Sequence, residues 1–208
     1  MASEPHLWTL ARKLQALAQT GLTYAINDYD RERYQEVSAI AAEMMAMQSG
    51  TPVETFQHLF AAQEGYATPK VDVRAGVFRE GKILLVRETA DGLWTLPGGW
   101  ADVNDLPSAA VERETLEESG FIVKATKLAA VCDRATHPHV PPMPFHIYKL
   151  FFLCELRGGN PRTSKETLAV DFFAPDNLPP LSTTRVLARQ ILRLFEHAKD
   201  PSLPADFD

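Results

Sequence analysis

Residues 96–121 read LPGGWADVNDLPSAAVERETLEESGF, and the rest of the chain is arranged around this stretch. It opens with a Pro-Gly-Gly turn, and glycine, which has no Cβ atom, lets the backbone come close to a ligand. A pattern typical of a helix begins near Pro107, because the missing N–H of proline costs nothing in the first helical turn. The spacing of Glu114, Glu117 and Glu118 by three and four residues predicts that their carboxylates share one face of this helix.

The acidic face has two interpretations, a solvated surface and a cation site. Like charges four residues apart repel and destabilise a helix by about 0.2–0.5 kcal/mol. A hard divalent cation would remove that repulsion, and Mg2+ prefers oxygen ligands while it keeps several waters and binds substrate phosphates. The glutamates alone do not distinguish the two interpretations, so the pattern of the whole stretch has to decide.

From Gly99 onwards the stretch resembles the Nudix box, the pattern G-x5-E-x7-R-E-U-x-E-E-x-G-U in which U is an aliphatic residue. The matching positions are Gly99, Arg113, Glu114, Glu117, Glu118, Gly120 and the apolar Phe121. Two positions depart from the pattern: Asp105 replaces the first glutamate and Thr115 replaces the first U. Asp105 keeps the charge with a shorter reach, and Thr115 is β-branched and able to pack. The Arg-Glu and Glu-Glu pairs at the centre of the box are intact.

The resemblance implies a metal-dependent enzyme that hydrolyses the pyrophosphate bond of a nucleoside diphosphate linked to another group X, giving NMP and phospho-X. The cofactor would be Mg2+ or Mn2+, which polarises the phosphorus and lowers the pKa of bound water. The metal ligands that the resemblance implies are Glu114, Glu117, Glu118 and the carbonyl of Gly99. Arg113 would orient these carboxylates and pair with Asp105.

The general base and the substrate contacts are less specific in the sequence. Related enzymes take the base from the Nudix helix or from a glutamate in the loop before the last strand, where Glu166 lies; Glu166 would be the base or an additional metal ligand. Arg74 and Arg87 lie on strands that flank the site in this fold and would hold the diphosphate through paired donors. Solvated strand arginines are an equal alternative. Trp100 would stack on a base or line the pocket, and core packing is the alternative for it.

The pattern of residues 67–208 predicts strands and two helices, in agreement with the α/β/α sandwich with a mixed sheet that the resemblance implies. Alternating apolar residues predict a hairpin from 71–78 and 82–87. Further strands are predicted at 121–133, 145–156 and 169–173, before a C-terminal helix. The tail from Pro201 is short and polar, so we expect it to be mobile.

Residues 1–66 predict a small all-helical domain of three amphipathic helices. The first is expected to stop near Gly21, the second to begin at Asn27 or Asp28 and end by Gly50, and the third to begin with a capping box from Thr51 to Glu54. Such short helices must bury their apolar stripes on another surface. This part is similar to a bacterial Nudix subgroup that includes CDP-choline and ADP-ribose pyrophosphatases and tends to dimerise, which implies a homodimer with the helices at its interface.

Composition bounds the remaining possibilities. A formal net charge of −6 argues against nucleic-acid binding, and Cys132 and Cys154 are too few for a disulfide framework. The N-terminus lacks the features of a leader and no apolar run approaches the roughly 18 residues of a membrane span, so we expect a cytoplasmic protein without membrane contact. The competing hypotheses are a hydrolase of damaged nucleoside triphosphates, against which the helical domain counts, and a non-catalytic nucleotide-ligand sensor, against which the intact glutamates count. RNA-end processing gains no support from the acidic composition.

Overall fold

The computed structural model describes residues 6–208; residues 1–5, where the predicted helical domain and the stretch compared with a leader begin, lie outside the described residues. The chain forms two compact units. The first runs to Lys70 and includes residues 135–138 and 142–146, and the second holds the remainder. The sequence assigns those two short loop segments to the second domain, and the division at residue 66 stays a prediction.

The first unit contains three helices, α1 (His6–Tyr24), α2 (Asp28–Ser49) and α3 (Val53–Ala61). The bounds predicted for the second helix are confirmed: the Asn27 side chain accepts the N–H of Asp30 at 2.8 Å, and Gly50 ends the helix with φ 70°. The predicted stop of the first helix at Gly21 is wrong. A Cβ atom on Gly21 would lie 2.3 Å from the ring of Tyr34, so this glycine allows α1 and α2 to approach closely.

The capping box predicted for α3 is also wrong. The N-cap is Pro52, and it makes no side-chain capping bond. Because the helix begins at Val53, Glu54 is its second residue rather than the third, the position from which a glutamate reaches back to the N-cap amide. The core of this unit is an apolar cluster around Trp8, whose indole meets the ring of Phe56 edge-on with centroids 5.9 Å apart.

The second unit contains a seven-stranded mixed sheet with the order β3-β2-β1-β5-β4-β7, and β6 pairs with β2 outside this path. Its strands are β1 (Lys70–Arg79, of which Lys70 is counted with the first unit), β2 (Lys82–Glu88), β3 (Trp94–Thr95), β4 (Phe121–Asp133), β5 (Ile147–Gly159), β6 (Thr167–Phe173) and β7 (Asp206–Phe207). The pairs β1/β2, β2/β3, β2/β6 and β4/β5 are antiparallel, and β4/β7 is parallel. The predicted hairpin is therefore confirmed.

Two helices, α4 (Pro107–Ser119) and α5 (Ala188–Lys199), complete the layers. Successive side chains of a strand point to opposite faces, and β2 divides accordingly. Leu84 belongs to the apolar cluster that contains Val111 of α4, whereas Ile83 and Leu85 belong to the cluster that contains Ile191 of α5. The α/β/α sandwich predicted for this part of the chain is confirmed.

The C-terminal tail is ordered by pairing, so the expectation of a mobile tail is wrong. Asp206 lies opposite Ala130 of β4 in the sheet, and its carboxylate accepts hydrogen bonds from Arg193 Nη2 at 2.8 Å and Arg193 Nε at 2.6 Å. Lys127 also donates to the carbonyl of Leu203 at 2.7 Å. The polar composition of the tail suggested that solvent surrounds it. The residues that hold it, Ala130, Arg193 and Lys127, lie outside the tail, so its own composition does not reveal them. Among residues 6–208, no helix has the length and apolar character needed to cross a membrane.

Candidate active site

Helix α4 carries the three glutamates of the box on one face, where Glu117 is exposed, Glu114 is half-buried and Glu118 is buried. Its other face buries Ala110 and Val111 among the apolar residues of the sheet. Proline is its first residue, and Gly120 ends it in the left-handed conformation with φ 76°, donating its N–H to the carbonyl of Leu116 at 2.9 Å. The start of the helix at proline is as the sequence predicted, and the glycine supplies the left-handed conformation at its end.

The glycine turn is fixed between β1 and α4. Val73 and Ala75 donate their amides to the carbonyls of Gly99 and Pro97 at 2.8 and 2.9 Å. Gly98 has φ 134°, and a Cβ atom there would lie 2.0 Å from the Val73 carbonyl oxygen, so only glycine fits. The N–H of Gly98 donates to Oε2 of Glu118 at 2.8 Å. The turn therefore orients one of the box carboxylates.

Two of the box glutamates have raised pKa values. Burial raises the pKa of Glu118 to about 8, against the opposing effects of Arg74 and the Gly98 N–H. Burial also raises the pKa of Glu114, although Arg113 opposes the shift. A nearby positive charge stabilises the ionised form of such carboxylates. A bound cation would therefore stabilise the ionised form of both side chains.

Arg113 joins α4 to the loop that precedes it. Its Nη1 donates to Glu114 at 2.7 Å and to Glu117 at 3.3 Å. Its Nη2 lies 3.2 Å from a carboxylate oxygen of both Asp102 and Asp105. The predicted pair of Arg113 with Asp105 is present, and the shorter aspartate reaches the guanidinium in place of the glutamate of the box pattern.

A cleft of about 460 Å³ opens over the acidic face of α4. The residues that line it are Trp100, Asp102, Arg113, Glu114, Glu117, Glu118, Ser164, Lys165 and Glu166. The structure thus brings together the predicted residues of the box helix, Trp100 of the glycine turn and Glu166 of the loop before β6. Trp100 is 45% exposed. Sequence reasoning missed Asp102, Ser164 and Lys165, although each lies within two residues of Trp100 or Glu166, which it selected.

The carboxylates of Glu114, Glu117, Glu118 and Glu166 line this cleft and are of the chemical type that binds a hard divalent cation. Carboxylates and carbonyls are the ligands that Mg2+ and Mn2+ take. Gly99, which the sequence also predicted as a ligand, is not among the described residues that line the cleft. Its carbonyl accepts the Val73 amide, and an acceptor of this kind has a second lone pair. A bound cation would stabilise the ionised forms of the half-buried Glu114 and the buried Glu118, whose pKa values are raised. The residues present are therefore suited by their chemistry to a hard divalent cation.

The two strand arginines donate the hydrogen bonds seen here to groups outside this cleft. Arg74 is buried, with Nε and Nη2 donating to Asp72 at 2.9 and 2.7 Å and Nη1 donating to the carbonyl of Leu96 at 3.1 Å. Arg87 donates its Nε to the carbonyl of Gly92 at 2.7 Å. Neither is among the described residues that line the cleft, and their roles in substrate binding stay predictions.

A buried charge cluster accompanies Arg74. Lys149 of β5 donates to Asp72 at 2.6 Å from a position 77 residues away. Burial alone would raise the pKa of Asp72, but the charges of Arg74 and Lys149 outweigh it and lower the pKa to about 2. Burial lowers the pKa of Lys149 to about 8. The sequence separation explains why the Asp72–Arg74–Lys149 cluster was not predicted.

Two family patterns match the chain. Residues 5–60 match the UDP-X-like, N-terminal oligomerisation domain, and residues 68–195 match the NUDIX domain. A protein of Bacillus subtilis (strain 168) named "Putative ADP-ribose pyrophosphatase YjhB" is 43% identical over 198 residues, or 95% of each chain.

Two solved structures are similar at the level of both sequence and fold. An ADP-ribose pyrophosphatase from Streptococcus suis 89-1591 is 41% identical with a TM-score of 0.62, and the match covers 68% of this chain and 100% of that protein. A UDP-X diphosphatase is 30% identical with a TM-score of 0.62, and the match covers 100% of both chains.

Proposed function

Because the chain belongs to the Nudix hydrolase family, we propose that it hydrolyses the pyrophosphate bond of a nucleoside diphosphate linked to X, of the ADP-ribose or CDP-choline type, to NMP and phospho-X. The observation that carries the proposal is the cleft in which the glutamates of α4 meet Glu166. The similar proteins named for ADP-ribose and UDP-X hydrolysis support this substrate class.

The cation would be Mg2+ or Mn2+, held by the carboxylates of α4 and the Gly99 carbonyl. When bound, such an ion polarises phosphoryl oxygens and lowers the pKa of a coordinated water. Arg113 orients Glu114 and Glu117 through its hydrogen bonds to both side chains. The Gly98 N–H holds Oε2 of Glu118 in the same way.

Glu166 takes the proton of the attacking water on a carboxylate oxygen, or serves as a further metal ligand. The water oxygen bonds to phosphorus, the bond from that phosphorus to the bridging oxygen breaks, and the bridging oxygen leaves as part of a phosphate. Trp100, which is half-exposed in the cleft, stacks on the base of the substrate. Lys165 lies beside Glu166 and supplies a positive charge for a phosphate oxygen.

The helical unit makes the protein a homodimer in this proposal. Its match to an oligomerisation domain supports self-association. Large apolar side chains of this unit remain in contact with solvent, among them Leu17 at 56% and Ile26 at 97% exposure. Apolar surface of this kind is typical of protein interfaces.

The test is product analysis by chromatography. Wild-type protein with Mg2+ or Mn2+ is incubated with ADP-ribose, CDP-choline, UDP-linked sugars, NADH and nucleoside triphosphates. We expect cleavage of an NDP-X compound to NMP and phospho-X. The Glu118→Gln and Glu166→Gln variants should lose about 10²-fold or more of kcat, whereas Glu155→Gln, on an exposed side chain of β5, should not.

Metal titration separates the two roles of Glu166. If Glu166 is a ligand, excess Mn2+ should restore activity to Glu166→Gln; if it is the base, the loss should persist at saturating metal. Tight binding of one substrate without cleavage by the wild type would refute the hydrolase and favour the ligand sensor.

A further inference from the structure

One buried hydroxyl connects α4 to the loop that carries Glu166. Thr167, the first residue of β6, is 2% exposed. Its Oγ1 donates to the carbonyl oxygen of Glu118 at 2.8 Å. The last four carbonyls of a helix have no partner within the helix, and Thr167 satisfies one of them. The next carbonyl, that of Ser119, accepts the amide of Arg162 at 2.9 Å. The end of α4 is therefore bonded to the segment 162–167.

The same hydroxyl also orders the loop in front of it. The amide of Ser164 donates to Thr167 Oγ1 at 3.0 Å, and the two hydroxyl oxygens are 3.2 Å apart. A threonine hydroxyl has one proton and two lone pairs. Since that proton goes to the Glu118 carbonyl, the Ser164 hydroxyl is the donor in the contact between the two side chains. Every hydrogen-bonding position of Thr167 Oγ1 is then used.

Glu166 is held on both sides by this arrangement. Its amide donates to Ser164 Oγ at 3.1 Å, and its carbonyl accepts the amide of Thr89 at 2.8 Å. The Thr89 hydroxyl donates to the carbonyl of Lys165 at 3.3 Å. Ser164, Lys165 and Glu166 all line the acidic cleft. The loop has a defined position relative to the box helix, and a continuous chain of hydrogen bonds from Glu118 through Thr167 and Ser164 sets it.

We propose that Thr167 is a positioning residue that fixes the loop of Glu166 against the helix of Glu118, so that the two carboxylates meet across the cleft. The inference rests on the proposed function, because it concerns the placement of Glu166 in that reaction. Thr167 acts through other residues and does not itself line the cleft among the described residues. Its hydroxyl, rather than its methyl group, performs the role.

The test compares substitutions of buried threonines. Thr167→Val removes the hydroxyl at almost constant volume, and Thr167→Ser keeps the hydroxyl. Thr95→Val is the matched control, since among the described residues the buried Thr95 hydroxyl has no hydrogen-bond partner. Ser164→Ala is a second variant on a more exposed side chain, in case Thr167→Val does not fold. Each full-length protein is assayed for kcat and KM on the cleaved NDP-X compound, and for Mn2+ binding by electron paramagnetic resonance.

We expect Thr167→Val to lower kcat by about 10- to 100-fold, the effect typical of groups that orient metal ligands, with a smaller change in KM. Mn2+ binding should weaken in the same variant. Thr167→Ser should have the kcat and the Mn2+ binding of the wild type. Ser164→Ala should also lower kcat, and Thr95→Val should match the wild type.

Two results would overturn the positioning role. Wild-type kcat and Mn2+ binding in Thr167→Val would show that the hydroxyl is not needed, and a loss that Thr167→Ser does not restore would assign the effect to packing of the methyl group. Failure of the proposed function has a different signature, because the wild-type protein itself would then cleave no NDP-X compound. Under that result both inferences fall, whereas an active wild type with an unaffected Thr167→Val removes only this one.

Discussion

Glu118 shows how the environment of a single residue changes the protonation of a carboxylate that we propose as a metal ligand. The side chain is 5% exposed and receives one backbone N–H from the glycine turn, which is not enough to offset its burial. Its pKa is consequently raised to about 8. The proton that it holds near neutral pH has to leave before the carboxylate can bind a metal ion, so metal binding and deprotonation are coupled.

The raised pKa of Glu118 predicts the pH dependence of stability without divalent cations. Between its ordinary value of 4.5 and about 8, the folded state holds a proton that the unfolded state has lost. The stabilisation is therefore fully present below the ordinary pKa and is lost as the pH rises through about 8. In EDTA, the thermal midpoint of the wild type should fall over this range, and that of Glu118→Gln should fall less. Differential scanning fluorimetry across the range measures both curves, with Glu155→Gln as control; parallel curves for wild type and Glu118→Gln would contradict the assignment.

At the scale of residues, the sequence predicts that the glutamates of the box lie together because their spacing is local, and all three line one cleft. The glutamates of the box lie within one helix, so helical periodicity alone places them on one face. Arg74 shows the limit of this reasoning. A strand arginine near the site suggested a phosphate contact, but Asp72 lies two residues away on the same face of β1 and takes two of its donors. The third partner, Lys149, comes from another strand.

At the scale of elements, the Asp72–Arg74–Lys149 cluster joins β1, β5 and the residue before the glycine turn. Asp72 is the only carboxylate whose hydrogen bonds to Arg74 and Lys149 are seen among the described residues. Arg74 in turn donates to the carbonyl of Leu96. Removing one partner of a buried ion pair leaves an uncompensated charge, which costs far more than the pair itself contributes. The aspartate is therefore the residue on which the cluster depends.

Asp72→Ala should lower the free energy of unfolding by about 3–5 kcal/mol, because Arg74 and Lys149 would remain buried without the carboxylate to which both donate. The matched control is Glu155→Ala, which breaks the ion pair with Arg157 on the surface of β5, where both side chains are more than half exposed. That pair should contribute less than about 1 kcal/mol. Urea denaturation measures the two changes. Equal losses of unfolding free energy in the two variants would show that the buried cluster matters no more for stability than the exposed ion pair.

Helices and strands whose signals are local can be predicted from the sequence, whereas those that depend on distant contacts cannot. The bounds of β4 and α4 follow from patterns inside each segment, such as the alternation of apolar residues and the terminal proline and glycine. The strand β7 has no such pattern. It forms because Asp206 meets Arg193 and His197 of α5 and because the edge of β4 is available for pairing. Contacts between segments that are distant in sequence cannot be predicted from composition.

At the scale of the whole molecule, the first unit bears an apolar groove of about 580 Å³. The residues that line it are Leu14, Leu17, Thr20, Gly21, Tyr24, Ala25, Ile26, Asp30, Tyr34 and Val37. Most come from α1 and from the start of α2. Exposed apolar surface of this extent carries a cost in water that a second copy of the chain would remove. The groove is the surface at which we expect the homodimer to form.

Leu17→Glu should therefore convert the expected homodimer to a monomer. Burying a leucine contributes about 1.5–3 kcal/mol to association, and a glutamate in its place adds the desolvation of a charge. Light scattering after size-exclusion chromatography measures the mass, and the thermal midpoint of the wild type, but not of the variant, should rise with protein concentration. Ile122→Glu, which changes an exposed apolar residue of β4 that is 51% accessible, is the control and should keep the wild-type mass. A Leu17→Glu protein with unchanged mass would exclude this groove as the dimer interface, and a wild type that is monomeric at all concentrations would exclude the dimer.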